Sequence, residues 1–292
     1  MIRIPRGSLY ALTTRLQATN SARLAAAEER AATGRRINRP SDAPEDLHEV
    51  HQMDSAVADQ AVYKDNAEST TSLLDGMDNA LGRASDIILR ARELAVAMAS
   101  ETASQDGRTI AAIEVRGLKA TMVDAANSSF NGRHLFAGEA WGTAPFDSLG
   151  TYTGSTVEPD TRVGDARWVR SGMDGSAVFN GTADIFGTLE ALAVALETND
   201  PVAVGVTLSA LDDSTVALNN ARGEVGADTV AAEDAVVNSE SLNVLFSKRL
   251  SDLVTADPVE AYSSLTELRN TYEATLQVAG SASTRTLLDY LS

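Results

Sequence analysis

Three histidines, His48, His51 and His134, come nearest to being residues whose type and spacing could do chemistry. His48 and His51 stand one helical turn apart beside Glu45 and Glu49, and imidazole with carboxylate is a ligand set for a divalent metal. No third ligand follows at a suitable spacing, so the pair reads as an exposed acidic helix face and no metal is expected. His134 sits in Gly132-Arg133-His134-Leu135-Phe136, among turn residues where a general base could lie. No serine and acid accompany it in an order that completes a nucleophilic triad. Neither G-x-x-x-x-G-K nor G-x-G-x-x-G occurs, so no phosphate cradle is expected. Asn127-Ser128-Ser129 and Asn180-Gly181-Thr182 match the glycosylation triplet, a pattern frequent by chance. No catalytic residue and no cofactor is expected, and the chain does not read as an enzyme.

Composition narrows the remaining classes. The 292 residues carry 24 Lys plus Arg against 41 Asp plus Glu, a net charge of −17. Such an excess repels phosphate and anionic headgroups, which argues against nucleic-acid or membrane-surface binding. The balance is uneven: residues 1–40 hold eight Arg and two acids, Glu28 and Glu29. Those arginines lie within an amphipathic leucine pattern and read as a solvated or partner-contacting face. No run of about 20 apolar residues predicts a membrane span. The opening Met1-Ile2-Arg3-Ile4-Pro5-Arg6-Gly7-Ser8 lacks the apolar core and cleavage site of a secretory signal. Cysteine is absent, which excludes disulfides and thiolate chemistry. Aromatics make up 5%, and alanine and leucine dominate, as suits close-packed helices.

Helical spacing governs both ends. Leu9, Leu12, Leu16, Leu24, Ala27 and Ala31 predict an amphipathic helix that stops at Thr33-Gly34. Two prolines then mark Arg35 to Pro44 as an ordered loop, with Ser41 or Asp42 capping the next helix and Pro44 in its first turn. Over about 44–100, with no proline after Pro44, a stripe runs through Val50, Met53 and Val57, across a polar patch, to Leu74, Met77, Leu81, Ala84, Ile88, Ala91, Ala95 and Met98. About 55 residues at 1.5 Å each give a rod on the order of 80 Å. Another helix fits 106–127, ending in the polar turn Asn127 to Gly132. Residues 138–183 interleave Gly, Thr, Asp and Ser with Phe146, Tyr152, Trp168 and Phe179, and read as short strands and turns. Helices return near 189–196, 202–222 and 228–254, and Asp257-Pro258-Val259-Glu260 opens a last one bearing Tyr262, Leu265, Leu268, Tyr272, Leu276 and Ala279.

The expected fold is therefore mainly α, an elongated helical bundle formed by N- and C-terminal segments, with a small β-rich inserted domain. Residues 1–36 and 257–292 are expected as terminal polymerisation helices, 37–137 and 184–256 as a helical rod, and 138–183 as an outer insert. The outermost stripes have few companions within one chain. A lone helix pair buries little apolar area against the backbone entropy of ordering it. They are expected to be disordered in the monomer and ordered by neighbouring subunits. The residues expected at that interface are Leu9, Leu12, Leu16, Leu265, Tyr272, Leu276, Leu287, Leu288, Tyr290 and Leu291.

The punctuating segments also carry a family resemblance. Thr33 to Pro44 (Thr-Gly-Arg-Arg-Ile-Asn-Arg-Pro-Ser-Asp-Ala-Pro) resembles the S/T-G-x-R-I-N-x-x-S-D loop of the bacterial flagellin family. Ala91-Arg92-Glu93-Leu94-Ala95-Val96 resembles its R-E-L-A-V segment, and Ala221 to Ala227 its R-x-x-V/L-G-A turn into the penultimate helix. Phe130 to Gly138 and the ending Thr286-Leu287-Leu288-Asp289-Tyr290-Leu291 are similar to the members that join hook to filament. The resemblance implies an extracellular place in the flagellum, reached through the type III export apparatus with a cytoplasmic chaperone. It implies self-association in a ring, between the other hook-associated junction protein and flagellin. A filament flagellin is the alternative it leaves open.

Overall fold

The structure, a computed structural model, describes the backbone of residues 6–288 and the side chains of 11–280. Among the described residues there are seven α-helices: α1 (Arg6–Thr33), α2 (Leu47–Met98), α3 (Gln105–Ala126), α4 (Gly175–Phe179), α5 (Ile185–Glu197), α6 (Pro201–Val254) and α7 (Pro258–Leu288). Two antiparallel ribbons complete the fold, β1 (Ser129–Phe130) with β2 (Arg133–His134), and β3 (Asp160–Arg162) with β4 (Trp168–Arg170). The chain forms two compact units, one of residues 59–242 and one of residues up to 58 with those from 243 onward.

In the 59–242 unit, α2 buries Gln60, Tyr63, Ala67, Thr70, Leu74, Met77, Leu81, Ala84, Ile88, Ala91 and Ala95. The spacing alternates three and four without a break, the a/d seam of a coiled coil. On α6 the buried positions Val204, Leu211, Leu218, Val225, Ala232 and Ser239 recur every seven residues, with Thr207, Ser214, Ala221 and Ala235 between them. Buried hydroxyls on these seams are satisfied within their own helices, as Thr70 Oγ1 to Asn66 O at 2.8 Å and Ser214 Oγ to Ala210 O at 2.7 Å. Ion pairs flank the two seams: Arg92–Asp212 at 2.7 Å, Arg222–Asp78 at 2.8 Å and Lys64–Glu240 at 2.6 Å. Helices α3 and α5 complete the bundle, in contact along faces supplied with alanines (Ala111, Ala112, Ala193, Ala195).

Three local expectations change. Helix α6 runs unbroken through Gly223 and Gly226, where the sequence suggested a turn near 221–227. A glycine costs a helix about 1 kcal/mol, and the unbroken seam from Leu218 through Val225 to Ala232 outweighs it. Asn131 and Gly132, read as a turn ending α3, form the tip of the β1–β2 hairpin, with φ of 49° and 77°. Two successive left-handed residues suit the twist of a two-residue hairpin. Lastly, α6 is long and apolar enough to cross a membrane by length and composition. That apolarity comes from its seam and from outward valines, including Val202, Val216, Val230 and Val237.

From residues 138–183, Phe146, Val163, Val169, Met173, Val178 and Phe179 join the same core cluster as the helices. Phe136, Phe146 and Phe179 meet edge-on or tilted at 5.3–5.5 Å and seat against Phe186 of α5. Gly138 (φ 57°) is required here, because a Cβ would collide with the carbonyl oxygens of Ser155 and Val157. Tyr152 donates its hydroxyl to Ser155 O at 2.7 Å, and burial pushes its pKa up to about 12.

Candidate assembly interface

The unit containing both chain ends has a different character. Helix α1 lies against α7, and the side of α1 that is shielded carries Thr13, Gln17, Asn20, Leu24, Ala27 and Ala31. Asn20 Nδ2 donates to Thr275 Oγ1 at 2.9 Å across the pair, and Arg269 sits 3.6 Å from Glu28. Ala27 is the only buried side chain of α1 among the described residues, and α7 has none from 258 to 280. Ordering a residue costs about 1–2 kcal/mol of backbone entropy. A pair with so little buried apolar area has almost nothing to set against that.

Three leucines of the pair, Leu12, Leu16 and Leu276, are exposed. Leu12 is 54% exposed, Leu16 48% and Leu276 40%, while Leu265 and Tyr272 are half-buried. Of the expected interface residues, Leu9, Leu287 and Leu288 lie on described backbone but outside the described side chains, and Tyr290 and Leu291 lie outside the described residues. The structure thus partly shields Leu265 and Tyr272 and leaves Leu12, Leu16 and Leu276 with apolar surface in solvent.

The base of the pair is held by polar contacts. Arg36 N donates to Val254 O at 2.7 Å and Ala256 N to Gly34 O at 2.9 Å, an antiparallel bridge between the two connections. Arg36 Nη2 donates to Asp46 Oδ2 and to Leu253 O, both at 2.7 Å. Asp257 accepts from Val259 N at 2.7 Å and starts α7 as its spacing suggested. Asp42 does not cap a helix: α2 begins at Leu47, and the Asp42 carboxylate accepts from Arg39 N at 2.8 Å and Asn38 N at 3.0 Å. Those two backbone hydrogen bonds, Arg39 first, hold its pKa below the ordinary value. The proline ring at position 40 favours this tight loop over an earlier helix start.

The histidines take ordinary places. His48 and His51 are exposed, and their neighbour Glu49 is engaged by Arg249 at 2.6 Å. His134 Nδ1 lies 2.9 Å from Asn127 O, and its backbone N–H donates to Trp141 O at 2.9 Å, both contacts of the hairpin. Among the described residues no group of three or more His, Cys, Asp or Glu is placed to hold a metal.

The described chain is thus a heptad-packed helical bundle and a core-poor pair of terminal helices that leaves Leu12, Leu16 and Leu276 exposed. Residues 8–140 match the family described as the bacterial flagellin N-terminal helical region. The chain is 29% identical over 286 residues to flagellar hook-associated protein 3 of Escherichia coli, covering 86% of this chain and 89% of that one. It is 30% identical over 154 residues to flagellar hook-associated protein 3 of Salmonella typhimurium, an alignment spanning 52% of this chain and about half (49%) of that protein. The solved structure of a putative flagellar hook-associated protein from Vibrio parahaemolyticus superposes with a TM-score of 0.66 at 19% identity, covering 73% of this chain and all of that one, a likeness of fold. The chain thus resembles the bacterial flagellin family, and among its members hook-associated protein type 3.

Proposed function

We propose that this chain is a structural subunit of the bacterial flagellum that joins hook to filament, by packing its terminal helices against those of neighbouring subunits. One observation carries the reading: α7 buries no side chain between 258 and 280 while Leu12, Leu16 and Leu276 stand in solvent. Burial of apolar surface yields about 25 cal/mol per Å2, and neighbours repeated around an axis supply the surface one molecule lacks. The relatives' names favour a junction protein over a filament flagellin. In this reading the protein is not an enzyme. Residues 1–36 and 257–292 form the axial core, 37–137 and 184–256 the rod, and 138–183 an outward module. Its partners are copies of itself in a ring, the other hook-associated junction protein and flagellin. It is secreted through the type III export apparatus, guarded by a cytoplasmic chaperone, without a cleaved signal. The test is genetic. Cells lacking this chain should build hooks, carry no filaments and release filament subunits into the medium; normal filaments in such cells would refute the role.

A further inference from the structure

Between α4 and the middle of α6 the 59–242 unit holds a groove of about 490 Å3. Val178, Ala183, Val216 and Ala217 give it an apolar lining, and Glu158, Asp174, Asp213 and Glu224 make it acidic; no lysine or arginine lines it. Arg170 lies beside it, 3.0 Å from Glu158, 3.1 Å from Glu224 and 2.8 Å from Asp228, so one guanidinium answers three carboxylates. Asp213 has no ion pair among the described residues, and Val216, 57% exposed, presents a branched apolar side chain beside it.

The charge of the groove selects its occupant. A second copy of the same face would meet its own carboxylates, so the occupant is basic. Beyond residue 40 the chain has 16 Lys plus Arg (24 less 8) against 39 acids (41 less 2), so its basic excess belongs to the first forty residues. On α1, Leu16, Arg23 and Arg30 recur every seven residues along a flank beside the side that meets α7. Arg23 and Arg30 are exposed and have no ion pair among the described residues. Ala26, three residues after Arg23 and four before Arg30, keeps this flank thin between them. The two arginines stand about 10 Å apart along their axis, and Asp213 and Glu224 about 16 Å apart along theirs, a difference within reach of arginine side chains.

We propose that in the soluble protein this flank of α1 from a second copy docks into the α4–α6 groove, with Arg23 and Arg30 toward Asp213 and Glu224. The proposal rests on the terminal helices being unsatisfied in one molecule, as in the function proposed above. It adds a store for that surface before incorporation, which assembly then displaces.

The probe is a fluorescein-labelled peptide of residues 11–33 titrated into the full chain and followed by anisotropy. Binding should weaken as salt is raised, fall at least tenfold for the Asp213→Lys/Glu224→Lys chain, and fall likewise for an Arg23→Glu/Arg30→Glu peptide. The doubly reversed pair should recover part of the loss. Equal affinity for wild-type and groove-reversed chains overturns the proposal, because the peptide then binds elsewhere, for instance on α7. The groove variants change exposed residues and should leave hook–filament joining intact. Failure of this inference is therefore separable from failure of the junction role, which is read in cells.

Discussion

Arg108 is 3% exposed and meets only neutral acceptors. Its Nε donates to Met98 O at 3.0 Å, Nη2 to Ser100 O at 2.7 Å and Nη1 to Asn199 Oδ1 at 2.6 Å. The guanidinium thereby satisfies carbonyls at the end of α2, the negative end of that helix, and fixes Asn199, whose φ of 54° is left-handed. Arg108→Met keeps the bulk but leaves these acceptors unpaired, and should cost about 3 kcal/mol, read as a lower urea midpoint at unchanged m-value. Asp42 makes a prediction in pH. Its folded pKa lies below its unfolded value of about 3.9, so its contribution is fully present above about pH 4 and is lost as pH falls through the lowered value. In Asp42→Asn the acid-induced loosening of the 34–46 loop should shrink, measured by the amide shifts of Asn38 and Arg39 between pH 5 and 2; an unchanged titration would remove Asp42 from that role. Neither role was legible in the sequence. Arg108 occupies a core position on α3 that periodicity reserves for an apolar residue, and Asp42 bonds backward to a loop whose shape only folding reveals.

At the scale of elements, the long seam of α2 could be read from residues 74–98 alone, because a three-four alternation of Leu, Met, Ala and Ile has no other economical burial. Its extension to Gln60, Tyr63 and Thr70 was hidden by their polarity. The continuity of α6 was hidden by two glycines, and the β1–β2 hairpin by a strand length of two residues, too short for any alternation to show. The leucines expected at an interface split for a related reason: the wheel marks Leu12 and Leu16 as apolar-face residues but cannot say whether that face meets α7 or another molecule. These packing differences predict a hydrogen-exchange pattern. Amides of α2 from 60 to 95 should exchange slowest, while those of α1 and α7 should exchange within seconds to minutes in the monomer and become protected on assembly. Equal protection of α1 and α2 in the monomer would contradict the account of the core-poor pair.

For the whole molecule, the division of the chain at 58/59 and 242/243 predicts that damage to the ends spares the bundle. Deleting Leu287 to Ser292 should leave the cooperative unfolding of the 59–242 unit within about 0.5 kcal/mol of the full chain, the size expected for a change far from a core. The same deletion should abolish incorporation, seen as immotile cells that still secrete the protein. Motile cells would show that the last six residues are dispensable.

The two connections at the foot of the helix pair are hydrogen-bonded to each other, Arg36 N to Val254 O and Ala256 N to Gly34 O. A pull on the leading strand is therefore felt at once by the trailing one. If the chain serves the polymer proposed above, such a cross-tie would spread tension over both connections of every subunit, so that neither tail is drawn out by itself.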